Sequence, residues 1–168
     1  MNIAVLEDNP AIGGYMTTAL QLAGHHVEVF RQAVSLLEAL FTEGAMRTPL
    51  PYEVLTVDLL LPGGVSGLEV ITLIRRLISP QDLHIIVISG AGDALLEQVK
   101  QAFPDIALLI KPFKMHRLLE LFEARQRSQE KSAPRSSEMV INHEGSVLRI
   151  MSSVRMVMIT VVAQATKL

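Results

Sequence analysis

The sequence predicts an α/β fold in which a doubly wound, five-stranded parallel sheet carries helices on both faces. Five short runs rich in Val, Ile and Leu recur along the chain, and they are mostly continuous rather than alternating. Continuous apolar strands are typical of a sheet that is buried on both faces. Helical spacing of apolar residues fills the stretches between the runs, so strands and helices alternate as they do in parallel sheets.

The predicted strands are residues 3–6, 26–30, 54–57, 84–88 and 106–110. Asn9-Pro10 is expected to open the first helix, Gly24 to close it, and Ser79-Pro80 to follow the third. Four of the helices are indicated by apolar residues that recur every three or four positions. These are Ile12, Met16, Ala19, Leu20 and Ala23; Val34, Leu37 and Phe41; Leu95, Leu96, Val99, Ala102 and Phe103; and Met115, Leu118, Leu119 and Phe122.

The distribution of charge divides the chain into an acidic part and a basic part. Residues 1–124 hold 8 Lys and Arg against 14 Asp and Glu, whereas residues 125–168 hold 7 against 3. We therefore expect one domain over residues 1–124, and a helix extension and linker over 125–138. Residues 139–168 form a β-prone tail of unknown role, too small for a core of its own.

Composition excludes several classes of function. The 168 residues include no cysteine, which rules out disulfides, Cys-ligated zinc, iron–sulfur clusters and thiol catalysis. The formal charge of −2 gives no chain-wide reason to expect nucleic acid. The amino terminus lacks the basic flank of a secretory signal, and polar residues interrupt the apolar stretches well before the ~20 residues that span a bilayer. A cytoplasmic protein without a membrane segment is expected.

Polar side chains follow four of the predicted strands. Glu7 and Asp8 come after the first strand, Asp58 after the third, Ser89 after the fourth and Lys111 after the fifth. Ligands of an open parallel sheet bind beyond the carboxyl ends of its strands, so these side chains are expected to converge.

This combination of side chains suits phosphoryl chemistry. Three neighbouring carboxylates repel one another, and a hard divalent cation such as Mg²⁺, which prefers oxygen ligands, relieves that repulsion. A lysine adds a second positive charge, and a serine hydroxyl can donate a hydrogen bond to an incoming oxygen. An aspartate in such a site can act as a nucleophile toward phosphorus.

Residues 2–124 resemble the receiver domain of a two-component response regulator. The matching motifs are Glu7-Asp8, Asp58 with the following Pro62 and Gly67, Ser89-Gly90, and Lys111-Pro112-Phe113. The resemblance implies a flavodoxin-like, CheY-like (βα)₅ fold. It also implies that Asp58 is the phosphoacceptor, and that Mg²⁺ is held by Glu7, Asp8, Asp58 and the backbone carbonyl of Leu60.

The resemblance further implies roles for the remaining motif residues and for partners. Ser89 and Lys111 would bind the phosphoryl group and act in the switch, and the peptide bond before Pro112 would be cis. A sensor histidine kinase is the implied phosphodonor. A homodimer through helix 4, strand 5 and helix 5 is a further expectation, and nucleic acid is expected only if an output domain follows.

Leu108 and the loop from Pro62 to Gly67, which is one residue longer than usual, depart from the family pattern, and two apolar residues bear on the lifetime of a phosphorylated state. Leu108 stands three positions before Lys111, where the family commonly has an aromatic residue, so an aromatic relay is not expected. Leu60 and Ala91 are apolar and lie where water must approach a phosphorylated Asp58. Because neither side chain can orient that water, we expect slow loss of the phosphoryl group.

Three alternative functions compete with this hypothesis. The chain could be the amino-terminal fragment of a DNA-binding transcriptional response regulator. A Mg²⁺-dependent phosphohydrolase with an aspartyl-phosphate intermediate usually has a second aspartate two residues after its nucleophile, where this chain has Leu60. A receiver-like binding module without phosphorylation is disfavoured by the complete set of site residues. The expected protein is a signalling switch that catalyses only its own phosphotransfer and dephosphorylation.

Overall fold

The computed structural model describes residues 1–132. Their elements are β1 (Asn2–Leu6), α1 (Pro10–Leu22), β2 (His26–Phe30), α2 (Ala33–Leu40), β3 (Phe41–Thr42), β4 (Ala45–Met46), β5 (Val54–Val57), α3 (Gly67–Leu77), β6 (His84–Ser89), α4 (Asp93–Ala102), β7 (Ala107–Ile110) and α5 (Met115–Ser132). The predicted linker beyond Ser132 and the predicted β-prone tail lie outside the described residues. No helix within residues 1–132 is long and apolar enough to cross a membrane.

Five strands form one parallel sheet in the order β2-β1-β5-β6-β7, which confirms the predicted fold class. The chain leaves β1 toward β2 and then returns to add β5 on the opposite side of β1. This reversal makes the carboxyl ends of β1 and β5 the switch point of the sheet, where ligand sites of such folds form. Glu7-Asp8 and Asp58 follow these two strands directly.

The apolar strands bury side chains on both faces of the sheet. On β1, Ala4 and Leu6 join a core with α2, α3 and α4, whereas Ile3 and Val5 join a core with α1 and α5. The second core includes Phe122 of α5, which is almost fully buried. Strands β1, β5 and β6 therefore each contribute to two separate cores, and this explains why their sequences are mostly continuous in apolar residues, whereas the edge strand β2 alternates.

Helix α1 begins as its sequence predicts. The side chain of Asn9 accepts hydrogen bonds from the backbone N–H groups of Ala11 and Ile12, and Pro10 occupies the first helical position. Gly24 follows the helix with a φ of 84°, a conformation that glycine adopts without steric penalty.

The second predicted helix ends earlier than expected. The sequence predicts Phe41 in the apolar stripe of this helix, but α2 ends at Leu40 and Phe41 is the first residue of β3. A two-stranded antiparallel hairpin with β4 follows, and its turn residues Glu43 and Gly44 both have positive φ. Phe41 is buried on β3, and an apolar side chain suits a buried strand as well as a helix stripe, so its apolarity did not distinguish the two.

Candidate functional site

The predicted site residues come together at the carboxyl edge of the sheet. Glu7 and Asp58 follow β1 and β5, Ser89 ends β6, and Lys111 follows β7. Backbone hydrogen bonds continue the sheet into the site, because the N–H of Asp58 donates to the carbonyl of Leu6 and the N–H of Lys111 to that of Ser89, each at 3.0 Å. The site is therefore held by the strands themselves rather than by flexible loops.

One oxygen of the Asp58 carboxylate accepts two hydrogen bonds. Its Oδ1 atom accepts a hydrogen bond from the Ser89 hydroxyl at 2.8 Å and another from the backbone N–H of Leu60 at 3.0 Å. Ser89 is fully buried, and its Oγ also accepts the backbone N–H of Ala91 at 3.3 Å. The hydroxyl proton is thus directed at Asp58, and Asp58 is oriented by groups from two different strand ends.

The other oxygen of Asp58 faces Lys111. The Nζ atom of Lys111 lies 2.6 Å from Oδ2 of Asp58 and 2.6 Å from Oε2 of Glu7. Burial opposes the charge of Lys111, but its hydrogen bonds to Asp58 and Glu7 outweigh burial and raise its pKa. The pKa of Glu7 is also raised, because its own burial outweighs the effect of Lys111.

Three carboxylates form a cluster that could hold a metal ion. Oxygen atoms of Glu7, Asp8 and Asp58 all lie within 4.8 Å of one another. This all-oxygen set fits a hard divalent cation and does not resemble the nitrogen and sulfur ligands of zinc sites. Within residues 1–132, the Asp8 carboxylate takes part in no hydrogen bond or ion pair, so it is available as a ligand.

The loop between β5 and α3 packs closely against the phosphoacceptor candidate. A Cβ atom added to Gly67 would lie 2.1 Å from the backbone oxygen of Asp58, so only glycine fits there. Ser66 caps α3 in a reciprocal arrangement with Glu69. The pattern Ser-x-x-Glu before an apolar helix signals such a capping box, and the sequence prediction overlooked it.

Three other predicted features can be placed at or near the site. Leu60 is 55% exposed, whereas Ala91 is buried next to Ser89. The Lys111–Pro112 peptide bond is cis. Leu108 lies on β7, half-buried, and packs against the core of the α2, α3 and α4 face.

Comparisons with known proteins agree with this architecture. The sequence model of the family described as the response regulator receiver domain matches residues 3–123. The response regulator receiver protein CpdR of Brucella abortus is 32% identical over 123 residues, which cover 72% of this chain and 92% of that protein.

Solved structures show the same fold. A CheY-like response regulator receiver domain protein from Methanospirillum hungatei superposes with a TM-score of 0.66 at 20% identity, over 79% of this chain and 98% of that one. A sensor protein from Polaromonas sp. gives a TM-score of 0.60 at 29% identity, over 75% of this chain and 96% of that one. The resemblance seen in the sequence is confirmed: the chain belongs to the response regulator receiver domain family, whose members are signalling switches of two-component systems.

Proposed function

We propose that Asp58 accepts a phosphoryl group from a phosphohistidine of a sensor histidine kinase, in the presence of Mg²⁺. The observation that carries the proposal is the placement of the Asp58 carboxylate between the Ser89 hydroxyl and the Lys111 ammonium, beside two further carboxylates. A carboxylate with donors on both oxygens is oriented for attack, and the same donors can stabilise the oxygens of an incoming phosphoryl group.

In the proposed transfer, a carboxylate oxygen of Asp58 forms a bond to phosphorus as the bond between phosphorus and the donor imidazole breaks. The imidazole nitrogen leaves with the bonding electron pair. Glu7, Asp8, Asp58 and the backbone carbonyl of Leu60 would hold Mg²⁺, and the chemistry supplied by the bound ion is neutralisation of charge on the phosphoryl oxygens.

The groups around Asp58 would then exchange partners. In the structure, Lys111 bridges Asp58 and Glu7. After phosphorylation, its ammonium group can contact a phosphoryl oxygen without leaving the site. Ser89 now donates to Oδ1 of Asp58, and its proton can turn to a phosphoryl oxygen instead. Strand β7 and helix α4 directly adjoin Lys111 and Ser89. The surface formed by α4, β7 and α5 is therefore the proposed output surface. A homodimer through this surface remains a prediction.

The alternative functions are not favoured by the comparisons. A phosphohydrolase needs a group that activates water beside the nucleophile, and the residue two positions after Asp58 is the exposed, apolar Leu60. Identity as a fragment of a DNA-binding regulator draws no support from the matches, which cover the receiver region. A cytoplasmic location also remains a prediction, as does the division of residues 125–168 into a helix extension with linker and a β-prone tail.

Phosphorylation of the full chain tests this proposal. The protein is incubated with acetyl phosphate and Mg²⁺, and with a histidine kinase, and the phosphoryl group is located by mass spectrometry of peptides. We expect one modified residue, Asp58, and loss of the label in Asp58→Asn. The matched control is Asp82→Asn, an exposed aspartate that should keep full labelling. Equal labelling of Asp58→Asn and the parent would refute the assignment.

A further inference from the structure

His25 lies at the junction of α1, β2 and α5, at the end of the sheet opposite the site around Asp58. It occupies the turn between α1 and β2, and its backbone N–H donates to the carbonyl of Leu20 at 3.1 Å. Its imidazole meets the ring of Phe122 on α5 edge-on, with ring centroids 6.0 Å apart. Phe122 is almost fully buried, so the imidazole forms part of the contact that holds α5 against this turn.

One nitrogen of this imidazole is buried without a partner. Within residues 1–132, the Nδ1 atom of His25 has no hydrogen-bond partner. A neutral imidazole tolerates this arrangement, because its proton can lie on Nε2 and leave only a lone pair at Nδ1. A protonated imidazole carries an N–H group on both nitrogens, so protonation would place a buried donor and a positive charge where no group accepts them. The folded protein therefore favours the neutral form of His25.

The charged groups nearest to His25 do not remove this cost. Helix α1 contains no charged residue, and α5 presents the apolar Phe122. The amino group of Met1 repels a positive imidazole, whereas Glu53 attracts it. Oε2 of Glu53 is already engaged, since it accepts the backbone N–H of Asn2 at 2.6 Å and lies 4.0 Å from the amino nitrogen of Met1. Burial, assisted by the amino group, outweighs Glu53 and lowers the pKa of His25.

Titratable side chains on the flanking elements offer no acceptor to His25 either. On β2, His26 is exposed, and Glu28 accepts the hydroxyl of a tyrosine. On α5, Glu123 is exposed, and its carboxylate lies 3.9 Å from the guanidinium of Arg127. Protonation of His25 is therefore satisfied only if the imidazole reaches water.

We propose that His25 makes the contact between α5 and the turn before β2 depend on pH. The neutral imidazole packs on Phe122, whereas protonation favours a state in which α5 opens around Phe122 and exposes the imidazole. A histidine exposed in this way titrates near pH ~6.5, so the contact should be at full strength above that pH and weaken as the pH falls below it. Helix α5 leads into residues 133–168, and the proposal does not rest on phosphorylation of Asp58.

Hydrogen exchange of the full chain tests the effect on α5. Protection factors, which are corrected for the intrinsic effect of pH, are compared at about pH 7.5 and about pH 5. Amides of α5 near Phe122 should lose at least about fivefold more protection in the parent than in His25→Phe, because a buried donor without a partner costs that much or more. His25→Phe keeps an aromatic ring but cannot be protonated, and all other titrating groups are common to both proteins. His26→Phe, at the exposed histidine next along the chain, is the matched control and should behave as the parent does.

The opening must also be local to α5. In the parent, we expect the amides near Phe122 to be less protected than those of the buried strand β5 at both pH values. Equal protection in α5 and β5 would show that only unfolding of the whole domain responds to His25, and the proposal would be wrong. An equal loss in the parent and in His25→Phe would overturn it as well, and so would a loss of the pH effect in His26→Phe.

A second measurement uses the reciprocity of the coupling. If protonation of His25 opens α5, then loosening α5 must ease protonation of His25. NMR titration of the imidazole C–H protons should give a lower pH midpoint in the parent than in Phe122→Ala. Phe103→Ala, at a phenylalanine that packs against the other core, should keep the midpoint of the parent. An unchanged midpoint in a folded Phe122→Ala would refute the role of α5, and if that variant does not fold, the exchange comparison of the parent with His25→Phe decides the proposal.

Discussion

Lys111 and Asp58 form an ion pair between two strands that are not neighbours in the sheet. Their charged atoms are 2.6 Å apart although β6 separates β5, which precedes Asp58, from β7, which precedes Lys111. The lysine side chain therefore reaches over the end of β6, where Ser89 lies. One cation in this position offsets the charges of two largely buried carboxylates, Asp58 and Glu7.

Removal of that cation should destabilise the fold. In Lys111→Met, two buried carboxylates lose their counter-charge, and we expect the free energy of unfolding to fall by about 3 kcal/mol. Urea denaturation at neutral pH measures the change. Lys114→Met, at an exposed lysine in the same loop, should stay within about 0.5 kcal/mol of the parent.

A second substitution identifies the cause of that loss. Adding Glu7→Gln to Lys111→Met removes one of the two uncompensated charges, so the double variant should be more stable than Lys111→Met alone. If the double variant loses as much free energy of unfolding as the two single variants lose together, repulsion between Glu7 and Asp58 is not the cause.

Gly67 should tolerate no side chain. In Gly67→Ala, the new Cβ atom would lie 2.1 Å from the backbone oxygen of Asp58, so either α3 or the end of β5 must move. We expect a loss of at least about 3 kcal/mol in the free energy of unfolding. Gly14→Ala is the control, since its Cβ meets open space on helix α1 and should stabilise the fold by up to about 1 kcal/mol.

Asp8 should contribute more than Glu7 to the binding of Mg²⁺. Oε2 of Glu7 is already bound to Lys111, and Oε1 accepts the backbone N–H of Asn9, whereas the Asp8 carboxylate makes no such bond within residues 1–132. Calorimetric titration of Asp8→Asn and Glu7→Gln with Mg²⁺ compares the two. We expect the larger loss of affinity in Asp8→Asn, and equal losses would contradict this ranking.

Leu60 should prolong the phosphorylated state of Asp58. Its side chain is exposed at the edge of the site and cannot orient a water molecule for attack on phosphorus. Leu60→Asn and Leu60→Glu should therefore lose the phosphoryl group faster than the parent at equal Mg²⁺ concentration and pH. Leu22→Asn and Leu22→Glu, at an exposed leucine on α1 far from the site, are the matched controls and should keep the lifetime of the parent. Unchanged lifetimes in both Leu60 variants would show that another step limits hydrolysis.

The strands could be predicted from the sequence because burial on both faces leaves a strong signal. Predicted and observed strand ends differ by at most one residue, as at Ala107, where β7 begins one residue later than expected. The small β3–β4 hairpin was missed because its two-residue strands are too short to show periodicity. Only the Glu43-Gly44 turn, with positive φ at both residues, could have indicated it.

The sequence predicts which residues form the site, but not which hydrogen bonds and ion pairs they make with one another. The rule that strand ends converge places Glu7, Asp58 and Lys111 together without further information. It does not say which carboxylates the lysine contacts, because that depends on the side-chain rotamers and on the path of Lys111 over β6. The exposure of Ile110 on β7 was also not predicted, because it depends on where α4 packs.

The position of β7 at the edge of the sheet has a consequence for the balance of charge in the site. Strand β7 pairs only with β6 and is partly exposed along its length, whereas β5 and β6 have neighbours on both sides and are almost entirely buried. Local opening, as seen by amide hydrogen exchange, should therefore reach β7 before β5. We expect such an opening to withdraw Lys111 while Asp8 and Asp58 stay in place, which would raise the affinity of the acidic cluster for a divalent cation.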